Sequence, residues 1–94
     1  MQITVEFTGI ARTIVQNSQE LFEMPAHTTI QEVIHVLALK FPGLKNIIIA
    51  ENGESLLNSN VFILNGDEMV LPDSLNLKLT NGDRLTLLSV IVGG

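Results

Sequence analysis

The residues of this chain most open to chemistry stand at its end. The sequence closes on LLSVIVGG, in which Leu87, Leu88, Val90, Ile91 and Val92 read as a buried strand and Gly93 and Gly94 follow. Two glycines have no side chains to pack and are costly to order. At an average glycine usage of ~7%, a chance terminal pair occurs in roughly 0.5% of chains, so the pair calls for a reason. Elsewhere the patterns are weaker. Glu32 and His35 stand at i, i+3, the Glu-x-x-His spacing of di-iron bundles. Such sites take that motif twice, with two further carboxylates from other helices. Only one long helical pattern exists here, so the pair reads as a solvated helix face and no metal is expected. Asp67, Asp73 and Asp83 each fall in a turn signal, where aspartate is favoured anyway. No Ser-His-Asp constellation emerges, and His27 reads as a turn residue after Pro25. Arg12, just past the first strand, can meet a partner's acidic group, the terminal carboxylate or a nearby glutamate.

The elements that must position these residues follow from periodicity. Residues 2–7, QITVEF, alternate with Ile3, Val5 and Phe7 on one face, a half-buried strand that Gly9 ends. Residues 10–18 form a connection with a turn of helix around Ala11–Ile14. ELFEM, residues 20–24, pairs with the first strand as a hairpin and stops at Pro25. Thr29 and Glu32 have capping-box spacing. Ile30, Val33, Ile34, Leu37 and Phe41 then repeat as one buried helix face, which Pro42 and Gly43 end.

In residues 44–60, NIIIA is either a short strand or a buried edge segment, and ENGES and NSN read as turns. VFILNGDEMV is a hairpin turning at Asn65-Gly66. LNLKL alternates briefly, TNGD is a tight turn, and residues 84–92 make the last strand. Together these predict an α+β domain, with one main helix packed across a mixed sheet. If the first and last strands lie side by side, both termini join the centre of the sheet. Should Leu85 and Leu87 face the helix, Phe62 and Leu64 do too. Ile63, Leu88 and Val90 then face outward by the period of two. An outward apolar cluster marks a partner site, unless residues 44–60 fold over it.

Composition narrows the function. The chain has 94 residues, 46% of them apolar, enough for the core of one small domain. No run approaches the ~18 apolar residues of a membrane span. MQITVEF alternates like a strand and lacks the pattern of a signal peptide. The absence of cysteine excludes disulfides, zinc thiolates and iron–sulfur clusters; a cytoplasmic location is expected. Net charge is −5, and Arg12, Lys40, Lys45, Lys78 and Arg84 are scattered singly. That excludes a phosphate-tracking stripe and hence a nucleic-acid partner. The acidic surface suits a basic protein partner, or serves solubility alone. Neither G-x-x-x-x-G-K-[ST] nor G-x-G-x-x-G occurs, so the chain has no recognisable nucleotide-binding loop of its own.

This order of elements resembles the ubiquitin-like β-grasp fold. More narrowly it resembles the sulfur-carrier branch: the small subunit of molybdopterin synthase, the thiamine sulfur carrier and the archaeal ubiquitin-like modifiers. The resemblance rests on FTGIAR (residues 7–12), TIQEVI (29–34), KFPGL (40–44), VFILNG (61–66) and NGDRLTLL (81–88), followed by VGG. Ser89 and Val90 stand where small-subunit members often carry two prolines, and Leu87 and Leu88 replace the usual aromatics. Residues 44–60 make the chain longer than the smallest carriers, which favours the molybdopterin or archaeal-modifier type.

The resemblance implies a β-grasp domain over residues 1–92 and a flexible diglycine tail, 93–94. It implies that an E1-like adenylating enzyme, using ATP and Mg²⁺, activates the Gly94 carboxylate, and that this chain binds no cofactor. A cysteine desulfurase or rhodanese type donor supplies sulfur, and the resulting thiocarboxylate enters the large subunit of molybdopterin synthase. Gly93, Ile63, Leu88, Val90, Ile91, Val92 and Arg12 are then the tail and partner-binding residues. The physical case is sound. An α-carboxylate with a pKa of about 3.3–3.7 is ionised at neutral pH, and glycines pass a channel that any Cβ would obstruct. Two other readings share the same residues: a protein modifier joined to lysines through Gly94, and a non-covalent interaction module with an inert tail.

Overall fold

Alternation of Ile3, Val5 and Phe7 commits the first segment to one buried face. In a computed structural model, which describes residues 1–57 and 59–89, that segment is β1, Gln2–Phe7, and all three side chains are buried. It pairs antiparallel with β2, Gln19–Glu23, and parallel with β5, Arg84–Ser89. β3, Asn60–Leu64, lies antiparallel on the far side of β5, and β4, Glu68–Val70, pairs with β3. The order β2-β1-β5-β3-β4 places the first and last strands together at the centre. This five-stranded mixed sheet with a helix across one face is the ubiquitin-like β-grasp arrangement expected from the sequence.

The helix, α2, spans Ile30–Lys40 and buries Ile30, Val33, Ile34, Leu37 and Ala38. Its capping box forms as the spacing requires. Glu32 N–H donates to Thr29 Oγ1 at 3.2 Å, and Thr29 N–H donates to Glu32 Oε1 at 2.9 Å. The first two helical N–H groups, of Ile30 and Gln31, donate to the carbonyls of Leu77 and Leu75. This explains why LNLKL, despite its alternation, is not a strand: its carbonyls serve the helix start. Only an isolated bridge joins Thr29 to Lys78.

Two further segments differ from expectation. The connection after β1 holds a full helix, α1, Gly9–Val15, where the sequence indicates a single turn. Its β-branched Ile10, Thr13, Ile14 and Val15 are weak helix formers, so packing holds it: Ala11 is buried in the core, and Thr8 Oγ1 donates to Leu87 C=O at 2.7 Å. NIIIA is neither strand nor edge. Leu44, Ile48 and Ile49 are buried, and the Leu44 carbonyl accepts from both Ile48 and Ile49 N–H at 2.9 Å. Further on, Gly53 lies in the left-handed region (φ 72°), buried against His35 and Ala38 of α2. Residues 44–57 thus send their buried side chains into the core and pack on the helix side of the sheet.

Candidate functional site

The last strand sets the geometry of the site. Leu85 and Leu87 are buried, opposite Leu64 and Phe62 of β3, on the face that α2 covers. Thr86 and Leu88 alternate to the helix-free face, opposite Ile63 and Val61, and are half-buried. The spacing of two anticipates this parity. Ile63 and Leu88 are therefore diagonal neighbours on one face. Beyond Ser89, the remaining residues assigned from the sequence, Val90, Ile91, Val92, Gly93 and Gly94, lie outside the described residues.

The register adds what alternation alone could not. Glu6 lies opposite Thr86, Thr86 opposite Ile63, and Ile63 opposite Met69, so one row of side chains crosses four strands on the helix-free face. Its β3–β4 half is apolar, and Met69 is 51% exposed. Its β1 half is polar. Glu6 Oε1 accepts from the Thr86 hydroxyl at 2.8 Å and from Arg84 Nε at 3.1 Å. Sequence reasoning missed Glu6, Thr86 and Met69. The available signal was their parity opposite to Val5, Leu85 and Val70; the pairing register was not legible.

Arg12 stands on α1, at the end of the sheet where β1 and β5 finish, and does not join this row. It is exposed beside a shallow hollow lined by Thr13, Gln16, Asn17 and Ser18. Among the described residues it makes no ion pair; those present are Lys40–Glu20 at 2.8 Å and Arg84–Glu6. The Lys40 ammonium holds the Glu20 carboxyl below the usual range, and also lies over the rings of Phe22 and Phe41.

The Glu32–His35 pair gathers no ligand set. The Glu32 carboxylate is committed to the capping box, and the Thr29 N–H, then its hydroxyl, hold it below the usual carboxylate range. Among the described residues, no three His, Asp or Glu side chains are disposed to hold a metal ion. No helix there is long and apolar enough to cross a membrane.

Asn65 and Gly66 both have positive φ at the β3–β4 turn, as a tight hairpin demands. Asn65 does more than turn the chain. Its Oδ1 accepts from Arg84 N–H at 2.9 Å and its Nδ2 donates to Asp83 Oδ1 at 3.0 Å, fastening the hairpin to the start of β5. The arrangement offers an amphipathic face on rigid strands, with the central strand leading toward the terminal residues.

The sequence pattern of the ThiS family matches residues 5–94. Among curated proteins, none matches the sequence significantly. Similar solved structures include SAMP1 from Haloferax volcanii, at 17% identity over the whole of both chains and a TM-score of 0.82. A chain of the BexX/CysO complex from Amycolatopsis orientalis is 28% identical, over 98% of this chain and 99% of that one, with a TM-score of 0.70. A chain of the complex of subunits 1 and 2 of the Helicobacter pylori molybdopterin-converting factor is 22% identical over the whole of both, with a TM-score of 0.60.

Proposed function

The chain belongs to the ThiS family of ubiquitin-like sulfur carriers, and from that premise we propose that it carries sulfur on Gly94 as the small subunit of a molybdopterin-synthase-like complex in the cytoplasm. An E1-like enzyme binds the helix-free face through Ile63 and Leu88. The Gly94 carboxylate attacks the α-phosphate of ATP, held there with Mg²⁺, and pyrophosphate leaves. The outer sulfur of a persulfide on a cysteine desulfurase or rhodanese type donor attacks the acyl carbon and displaces AMP, giving an acyl disulfide. A second thiol of the partner then cleaves its S–S bond, leaving the thiocarboxylate on Gly94 and a disulfide on the partner. A thiolate-like sulfur is a better nucleophile than a carboxylate oxygen, and the large subunit receives it for transfer to a pterin precursor. This chain contributes a co-substrate and a docking face, and the partners supply the catalytic groups.

The observation that carries the reading is the placement of β5. It is a central strand, anchored on both sides, and its half-buried Leu88 shares the helix-free face with the half-buried Val61 and Ile63 of β3. A partner that grips this face holds a strand hydrogen-bonded to neighbours on both sides. A second reading, conjugation of Gly94 to lysines of target proteins, draws support from the likeness in fold to SAMP1, at a TM-score of 0.82 against 0.74 and 0.60 for two molybdopterin-converting chains.

Intact mass after incubation with a cognate adenylating enzyme, ATP and a sulfur donor separates the readings. A shift equal to one oxygen replaced by sulfur, localised to Gly94, supports the carrier. A ladder of heavier conjugates supports the modifier. An unchanged mass beside a verified active enzyme refutes both and leaves a non-covalent module. Gly94→Ala should block the shift and leave the thermal melt of the domain unchanged.

A further inference from the structure

β2 is an edge of the sheet, and its pairing with β1 determines which of its backbone groups face solvent. Met1 and Met24 exchange both backbone hydrogen bonds, at 2.7 and 2.9 Å, and Phe7 N–H donates to Ser18 C=O at 2.9 Å. Antiparallel ladders alternate bonded and non-bonded pairs. Ser18, Glu20, Phe22 and Met24 therefore turn their backbone groups toward β1, and Gln19, Leu21 and Glu23 turn theirs away. The far side of β1 agrees: Gln2 and Thr4 N–H donate to Asn81 Oδ1 and Asp83 C=O. Among the described residues, no hydrogen bond meets the outward N–H and C=O groups of Gln19, Leu21 and Glu23.

The side chains of these three residues share the helix-free face, because Phe22, of opposite parity, is buried. Leu21 is 55% exposed, and Glu23 is exposed with no ion pair among the described residues. Proteins blunt an open edge with short strands, proline or inward-pointing charge. A proline follows each edge strand two residues on, Pro25 after β2 and Pro72 after β4, but β4 has only three residues where β2 has five. At β2 the one inward charge, Glu20, is neutralised by Lys40 at 2.8 Å.

We infer that the β2 edge takes up an extended segment of a partner protein as a sixth strand, with an apolar residue against Leu21 and a basic residue against Glu23. Charge selects this occupant over a second copy of the chain, which would bring −5 against −5. β5 lies two strands away, so this edge and the β5–β3–β4 face can be occupied together.

The test uses the full-length chain, labelled with nitrogen-15, and a blocked seven-residue peptide, threonine throughout except for valine at its centre and lysine two residues to either side, so that lysine, valine and lysine share one face. Peptide addition should slow hydrogen exchange at the amides of Gln19, Leu21 and Glu23 and leave Glu20 and Phe22 unchanged. Leu21→Pro removes one outward N–H and no β1–β2 bond, and should weaken binding at least tenfold. Glu23→Lys removes the carboxylate without touching the ladder, and should weaken binding at low salt and by less at high salt. Unprotected edge amides overturn the proposal, as does protection at β4 instead. Protection that rises with protein concentration when no peptide is present overturns it in favour of a second copy.

Discussion

Leu88→Asp tests whether the helix-free face is for docking, and Leu87→Ala is its internal control. The two residues are adjacent on β5 and opposite in parity. Leu87 is 1% exposed and sits opposite the fully buried Phe62. Its truncation should cost about 2–5 kcal/mol, out of roughly 5–14 kcal/mol for a domain of this length. Leu88 is half-buried. Full burial of a leucine is worth about 1.5–3 kcal/mol, so losing half of that costs about 1 kcal/mol, since the new carboxylate stays wet. A domain of this size loses about 4–8 °C in Tm per kcal/mol, so the melt of Leu88→Asp should fall by ~5 °C and that of Leu87→Ala by roughly twice that or more. Binding should show the reverse order. A lone carboxylate buried in an apolar interface costs about 3–5 kcal/mol, or roughly two to four decades of affinity. Thermal melts by circular dichroism and titration calorimetry with the cognate adenylating enzyme measure both quantities. If Leu88→Asp melts as low as Leu87→Ala yet binds the enzyme as the parent does, the assigned docking face is wrong.

Three further outcomes are expected. Glu32 has its folded-state pKa lowered by the Thr29 N–H, so its stabilising contribution is present above the unfolded value of about 4.3 and is lost as pH falls through the lower folded value. Glu32→Gln keeps a capping side chain but no charge, and urea midpoints recorded between pH 7 and pH 3 should fall less steeply for it. Gly53 is buried with φ 72°, while a Cβ there meets His35 Nδ1 at an ordinary 3.5 Å. Gly53→Ala should therefore cost about 1–2 kcal/mol through backbone conformation alone, read as a shift in denaturant midpoint with an unchanged slope. Arg12 is exposed and makes no ion pair among the described residues, so Arg12→Glu should change stability by no more than about 0.5 kcal/mol. If Arg12 meets an acidic group of a partner, the same variant should slow thiocarboxylate formation in an adenylation assay, and an unchanged rate would remove Arg12 from the interface.

The sequence by itself determined the elements whose signals are local. Thr29, Glu32 and the Ile30–Leu37 repeat specify α2 down to its capping box, because a cap and a 3.6-residue period need no distant partner. Alternation in β1, β3 and β5 determined which residues face the core, and the terminal glycines with VFILNG and NGDRLTLL pointed to the family. Tertiary structure decided the rest. α1 forms from poor helix formers because Ala11 has a core to enter. LNLKL is no strand because α2 needs its carbonyls. Residues 44–57 are irregular because Leu44, Ile48 and Ile49 are buried from a looped backbone. The row Glu6–Thr86–Ile63–Met69 and the open edge of β2 exist only once four strands are in register. Register is a relation between segments up to eighty residues apart, and alternation within one strand reports only which face a side chain takes, not which neighbour it meets.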